Sequence, residues 1–177
     1  MKIILYLWLI HYIELLFTLK QAVLVSINSL MHMSELTFQV SAHSENPTKT
    51  VIKARGFELI VDEPKELGGT NAGLNPVEYV LAAFSGCLNV VAHLVAKEMN
   101  FELRGVKINL SGVLDPAKFT GAETSERAGY KRIDVEILPD TDADSATLEK
   151  WLQTIEQRCP VSDNLSNATP VHITIKQ

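Results

Sequence analysis

Residues 75–99, NPVEYVLAAFSGCLNVVAHLVAKEM, decide the fold. Asn75 is a favourable N-cap, and Pro76 suits the first helical position, where its missing N–H would have no partner anyway. Glu78 falls at the third position, so the start resembles a capping box with Asn in place of Ser or Thr. No further Pro follows before Met99. Val80, Leu81, Phe84, Leu88, Val90, Val91, Leu94 and Val95 leave almost no polar face, while Ala82, Ala83, Ser85, Gly86, Ala92 and Ala96 are small. A helix apolar nearly all round is a buried one. The stretch therefore predicts a long central helix that another backbone approaches closely, with Cys87 at its middle.

Upstream, Leu36, Phe38 and Val40 alternate with polar neighbours, as do Phe57, Leu59 and Val61, which is the period of half-buried strands. Glu45-Asn46-Pro47 between them reads as a turn, and Gly68 to Gly73 as a loop needing unusual backbone angles. Downstream, Val106, Ile108 and Leu110 predict a strand, and Ile133, Val135 and Ile137 another that Pro139 stops. The polar stretch from Asp115 to Gly129 between those two strands reads as a mobile loop. Leu148, Trp151, Leu152 and Ile155 follow the helical spacing i, i+3, i+4, i+7 behind the acidic start at 142–145, and Cys159 continues that apolar face. Val171, Ile173 and Ile175 predict a closing strand. The result is an α+β class: antiparallel sheets packed on a long buried central helix.

At 177 residues, 46% hydrophobic and 21% charged, the chain suits one globular domain. The first 32 residues read as an apolar N-terminal extension and residues 33–177 as the domain. His11, Glu14 and Lys20 interrupt the apolar run of the extension, which argues against a spanning helix. No small-x-small cleavage site marks a signal peptide. The simplest origin of the extension is a start-site artefact, with the domain beginning near Met33. The net charge of -5, which becomes -6 without the extension, and the lack of any Lys/Arg block exclude a nucleic-acid surface. A cytoplasmic protein with small-molecule or protein partners is expected.

The two cysteines are separated by 71 intervening residues, too far for a CxxC or zinc-knuckle motif, and two are too few for a secreted disulfide scaffold. Two buried hydrophobes is the simplest reading of such a pair. Cys87, in mid-helix, is inert unless something stabilises its thiolate. Cys159 precedes Pro160, which is placed to open a short turn over Val161 to Leu165, so its sulfur would cap free N–H groups. By that reading Cys159 is the more polarised thiol. His93 lies about 120° around the helix from Cys87, a poor Cys–His couple, and is expected to be a core histidine bonded to backbone or to the other subunit. No cofactor or metal site is expected, and Gly68-Gly69 lacks the Lys-Ser/Thr of a phosphate loop.

The stretches RGFELIVDEPKELGG, GLNPVEYVLAAFSGCLNVVAHLVAK and LEKWLQTIEQRCPVSDNL resemble the OsmC/Ohr superfamily over roughly Leu36 to Lys176. The resemblance implies an intertwined homodimer whose central helices pack together, with both active sites at the interface. It also implies a peroxidatic Cys87 and a resolving Cys159 acting on a small apolar hydroperoxide, with a dithiol such as a lipoyl group as reductant. That division of labour runs opposite to the polarity read from the residues. The peroxidases place a Glu directly after the helix-start Pro, where this chain has Val77. Glu78 would lie about 180° from Cys87 around the helix, so capping is its more natural role. The family's activating Arg comes from the early strands; the stretch around Ser44-Glu45-Asn46 has none, and Arg55, at the start of the ARGFEL strand, is the nearest replacement. The candidate site is thus Cys87, Cys159, Arg55 and Glu78, closer to the less characterised OsmC-like branch than to the proven peroxidases. The competing expectation is a non-enzymatic dimer that binds a small apolar ligand and keeps its cysteines for packing.

Overall fold

The computed structural model describes residues 35–177. The N-terminal extension and the start near Met33 lie outside the described residues. The chain divides into two compact units. The smaller contributes residues 35–41 and Ala54–Gly56 to the described chain; the larger comprises Ala42–Lys53 and Phe57–Gln177.

In the smaller unit the strand expected at Leu36, Phe38 and Val40 is absent. These side chains are 61, 85 and 70% exposed, and the first strand, β1, is Ser41–Ser44. Alternation alone makes no strand where neither face has a surface to cover. Arg55 and Gly56 have φ of 50° and 91°. Both lie in the left-handed region that a two-residue hairpin turn requires, a region glycine enters freely and arginine seldom. Arg55 therefore occupies the turn between strands rather than a strand start.

The strands β2 (Thr50–Ala54) and β3 (Phe57–Val61) join β1 in the order β1-β2-β3. Asn46 sets the β1–β2 turn, its Oδ1 accepting from the N–H groups of Thr48 and Lys49 at 2.9 and 2.7 Å. After β3 the chain doubles back so that Leu74 bridges Val61 in parallel. Gly73 makes this approach feasible, since a Cβ there would sit 2.1 Å from the Ile60 carbonyl oxygen. The fully buried Asp62 fixes the same loop. Its carboxylate accepts from the N–H groups of Glu63, Thr70 and Ala72 at 2.9, 2.9 and 3.1 Å and from the Thr70 hydroxyl at 2.6 Å.

Helix α1 (Pro76–Glu98) starts with the expected capping box: Asn75 Oδ1 accepts from the Glu78 N–H and Glu78 Oε2 from the Asn75 N–H, both at 2.9 Å. Strands β4 (Gly105–Val113) and β5 (Arg132–Asp140) form an antiparallel pair with Gly105 opposite Asp140 and Val113 opposite Arg132. The loop between them is tied to α1 by Tyr130, whose hydroxyl donates to the Val77 carbonyl at 2.8 Å. Helices α2 (Ser145–Arg158) and α3 (Pro160–Ser166) follow, and the Asp144 side chain accepts from the Thr147 N–H at the start of α2.

The core lies where α1 meets α2 and the β4–β5 pair: Phe84, Leu88, Val91, Ala92, Val95 and Ala96 pack on Trp151 and Ile155, with Val106, Ile108, Ile133 and Ile137 beside them. Each large apolar side chain buried here contributes about 1.5–3 kcal/mol. By length and apolarity α1 could cross a membrane, but this packing is that of a core helix. Within the single chain its burial is one-sided: Ala82, Ala83, Gly86, Val90 and Leu94 are exposed. His93 shares that face and is exposed within the single chain. The closing strand is absent too, with Val171, Ile173 and Ile175 at 75, 88 and 90% exposure and no regular structure after α3. The two missing strands and the open face of α1 share one cause: each has apolar residues to be covered, and nothing among the described residues covers them.

Candidate functional site: a thiol pair between three helices

Cys159 ends one helix and begins the next. Its N–H donates to the Ile155 carbonyl at 3.0 Å, closing α2, and its own carbonyl accepts from the Asp163 N–H at 3.0 Å, opening α3. Pro160 takes the first position of the new helix, as its fixed φ favours. The Cys159 side chain is thereby held against the Ser162 N–H, with N to Sγ at 3.4 Å, while the residue is almost fully buried.

The sulfur of Cys159 lies 3.0 Å from that of Cys87, within hydrogen-bond distance for sulfur, and both cysteines are free. Cys87 is half-buried at the middle of α1. Burial pushes its thiol pKa up, the contact with Cys159 adds to the shift, and the Val161 backbone opposes it. The Cys87 thiol is therefore favoured over its thiolate in a single chain.

Two contacts that the sequence reading missed set the α1–α2 register on which this meeting depends. The indole N–H of Trp151 donates to the Ala92 carbonyl at 2.9 Å within the core, and the Trp151 ring packs edge-on against Phe101 at 6.0 Å. Arg158, directly before Cys159, forks onto the Glu98 carboxylate at the end of α1. The signal for the first was available, because a Trp in an apolar stripe needs a partner for its N–H. Nothing in sequence pairs Glu98 with Arg158, sixty residues away.

Arg55 and Glu78 take different places. Arg55 belongs to the smaller unit's turn. The carboxylate of Glu78 closes the capping box, and its charge, after burial, helps push the Tyr130 hydroxyl pKa up. Among the described residues no three of His, Cys, Asp and Glu cluster as metal ligands would.

A cavity of about 330 Å³ opens between α1, α2 and β5. Phe84, Leu88, Val135, Ile137, Trp151 and Leu152 give it an apolar wall, and Ser162, whose N–H meets the Cys159 sulfur, closes one side. A reduced dithiol beside an apolar chamber can do two-electron thiol chemistry on an apolar partner.

An α+β fold with a thiol pair joining its central helix to a C-P helix junction defines the class. The chain belongs to the OsmC-like protein family, whose pattern matches residues 69–174. The fold is similar to that of an OsmC-like protein from Mycoplasma pneumoniae, with a TM-score of 0.66 at 16% identity over 75% of this chain and 89% of that one. An OsmC-like protein of unknown function from Vibrio cholerae aligns with a TM-score of 0.56 at 15% identity over 75% and 94% of the two chains. An organic hydroperoxide resistance protein from Legionella pneumophila aligns with a TM-score of 0.55 at 20% identity over 75% and 90%. No curated protein matches the chain.

Proposed function

We propose that the protein reduces organic hydroperoxides through a Cys87/Cys159 redox pair, as a cytoplasmic homodimer in oxidative stress defence. The 3.0 Å approach of two free sulfurs carries this reading. The Cys87 thiolate attacks the terminal oxygen of ROOH; the O–O bond breaks, the alkoxide leaves and takes a proton as ROH, and Cys87 becomes a sulfenic acid. The Cys159 sulfur then attacks Cys87, expelling water and forming the disulfide. A dithiol such as a lipoyl group restores both thiols by exchange, leaving as its own disulfide. Cys87 takes the first step because it is the half-exposed sulfur, and Cys159 the second because it is almost fully buried and held at the helix junction.

The raised pKa of Cys87 means that a cation must favour its thiolate in the working enzyme. We assign that part to Arg55, on the family resemblance, and to Glu78 the holding of the helix start. Replacing Arg55 by Ala should move the pH midpoint of the peroxide reaction upward and leave the fold intact; an unchanged midpoint removes Arg55 from the site. The homodimer is supported by the uncovered apolar face of α1 and by the exposed alternating residues at 36–40 and 171–175.

Stopped-flow mixing of the reduced protein with cumene hydroperoxide tests the whole reading. Loss of two thiols per chain, recovery by dihydrolipoamide and no fast phase in Cys87→Ser are expected. Identical traces for wild type and variant would sink it in favour of a second reading that the apolar cavity supports, a non-enzymatic dimer binding a small apolar ligand.

A further inference from the structure

The thiol pair and the cavity together also form a site for a ligand that is not oxidised or reduced at all. We propose that the reduced protein captures trivalent organic arsenicals, RAs(OH)2 with R an aryl group, as a cyclic dithioarsinite across Cys87 and Cys159.

Three observations converge on this ligand class. Both sulfurs are free and 3.0 Å apart, a separation that one trivalent arsenic bonded to both can bridge. Sulfur is the donor that soft, thiophilic centres select, and among the described residues no three of His, Cys, Asp and Glu cluster as a harder ion would need, although Glu156 lines the neighbouring cavity. The cavity of about 330 Å³ beside the pair supplies what an inorganic oxyanion could not use, an apolar chamber walled by Phe84, Leu88, Trp151 and Leu152. Neither sulfur lines that chamber. Phe84 and Leu88, however, flank Cys87 along α1, and Ser162 both closes the chamber and meets the Cys159 sulfur.

The reaction balances without any electron donor or acceptor. The half-exposed Cys87 sulfur displaces one hydroxide from arsenic, and the thiol proton leaves with it as water. Cys159 displaces the second hydroxide in the same way, giving two As–S bonds and two waters while arsenic stays trivalent. The second step is intramolecular between groups already in contact, so the chelate should hold about 100-fold or more tighter than a single thiol. The aryl substituent, which cannot point back between the sulfurs, enters the chamber. Capture needs only two reduced, adjacent thiols and does not rest on the peroxidase reading.

The test is a titration of the reduced full-length protein with phenylarsine oxide and methylarsonous acid under anaerobic conditions. Mass and free-thiol count give stoichiometry, and competition with a small dithiol gives affinity. One arsenic per chain with loss of two thiols is expected, with affinity falling at least about 100-fold in both Cys87→Ser and Cys159→Ser. The phenyl compound should bind tighter than the methyl one, and Leu152→Glu should erase that preference while methyl binding stays. Single-cysteine variants binding within about threefold of wild type would overturn the chelate, and equal binding of phenyl and methyl compounds to wild type would overturn the aryl assignment. No peroxide is present, so a protein inert to hydroperoxides can still pass, and an active peroxidase can still fail.

Discussion

Two buried polar sites in the larger unit, Asp62 and the Cys87–Cys159 pair, have opposite hydrogen-bond accounts. Asp62 is a carboxylate with no exposed surface, and four donors from Glu63, Thr70 and Ala72 saturate it. The bond from the Thr70 hydroxyl, above all, holds its pKa well below the usual carboxylate range despite burial, and the Ala72 and Thr70 N–H groups add to this. The thiol pair is supplied more thinly: one contact between the sulfurs, one long donation from Ser162 to Cys159 and the Val161 backbone at Cys87. A buried polar group whose every lone pair is answered is structure, because any change of state must break bonds. One whose partner is an equally reactive group is ready to exchange that contact for a covalent bond. Asp62 thus shapes the chain, while the two cysteines are the residues proposed to do its chemistry.

The largest expected effect falls on the chemical side. Replacing Cys87 by Ser should reduce the fast thiol-dependent peroxide phase by at least about 100-fold, the scale on which loss of a nucleophile acts, while circular dichroism stays unchanged. Cys159→Ser should keep the first oxidation but lose the disulfide, so that repeated peroxide drives Cys87 on to sulfinic acid, seen as a gain of two oxygens by mass. If both variants reacted like wild type, the thin hydrogen bonding of the pair would have no chemical meaning. Next in size is the packing that brings the sulfurs together. Ile155 is fully buried one turn before Cys159, and Ile155→Ala should lower stability by about 2–5 kcal/mol, measured by urea unfolding.

The pH dependence sharpens the contrast with both signs worked out. The folded pKa of Asp62 is depressed, so its contribution to stability is fully present above the ordinary Asp value of about 3.9 and is lost as pH falls below it. The unfolding midpoint of wild type should therefore drop below about pH 4 more steeply than that of Asp62→Asn. Amide exchange at Glu63, Thr70 and Ala72 should quicken in the variant, because these N–H groups lose their acceptor. Cys87 runs the other way. Its folded pKa is raised, so the contribution is present below the ordinary thiol value of about 8.5 and is lost as pH climbs beyond it. Thiol alkylation at Cys87 should keep accelerating past about pH 8.5 in a protein without its activating cation.

Local chemistry was legible in the sequence where it acts between near neighbours. The capping box at Asn75 and Glu78, the junction at Cys159-Pro160 and the apolar stripe from Leu148 to Ile155 all appear as read, because each depends on residues within a few positions of one another. The α+β class with antiparallel sheets was legible for the same reason. What the pattern cannot state is which surface answers an apolar stripe. Leu36 to Val40 and Val171 to Ile175 alternate as well as Val106 to Leu110 does, yet among the described residues only the last of the three finds a neighbouring strand, and the face of α1 bearing Val90 and His93 is uncovered for the same lack. At the site, the cysteine contexts were legible but their 3.0 Å contact was not, because it depends on the α1–α2 register set by Trp151 and Ala92.

The smallest expected effect isolates the outermost part of that register. Arg158 and Glu98 pair on the surface, both more than a third exposed, and the Arg158 partner depresses the Glu98 carboxyl. Exposed ion pairs contribute little to stability even when forked, because water and salt screen them and two long side chains must be held still. Glu98→Gln should therefore move the thermal midpoint by about 2 °C or less, and by less still in high salt. Yet Arg158 adjoins Cys159, so a pair that hardly affects folding can still affect how often the sulfurs are in contact. The informative measurement is the rate of disulfide formation after the first oxidation, compared in Glu98→Gln and wild type at equal stability. A slower second step with an unchanged first would make the pair a positioning device for Cys159. Equal rates would leave the buried bond from Trp151 to Ala92 to hold the register, and Trp151→Phe, which keeps an aromatic ring but deletes the donor, should then slow that step instead.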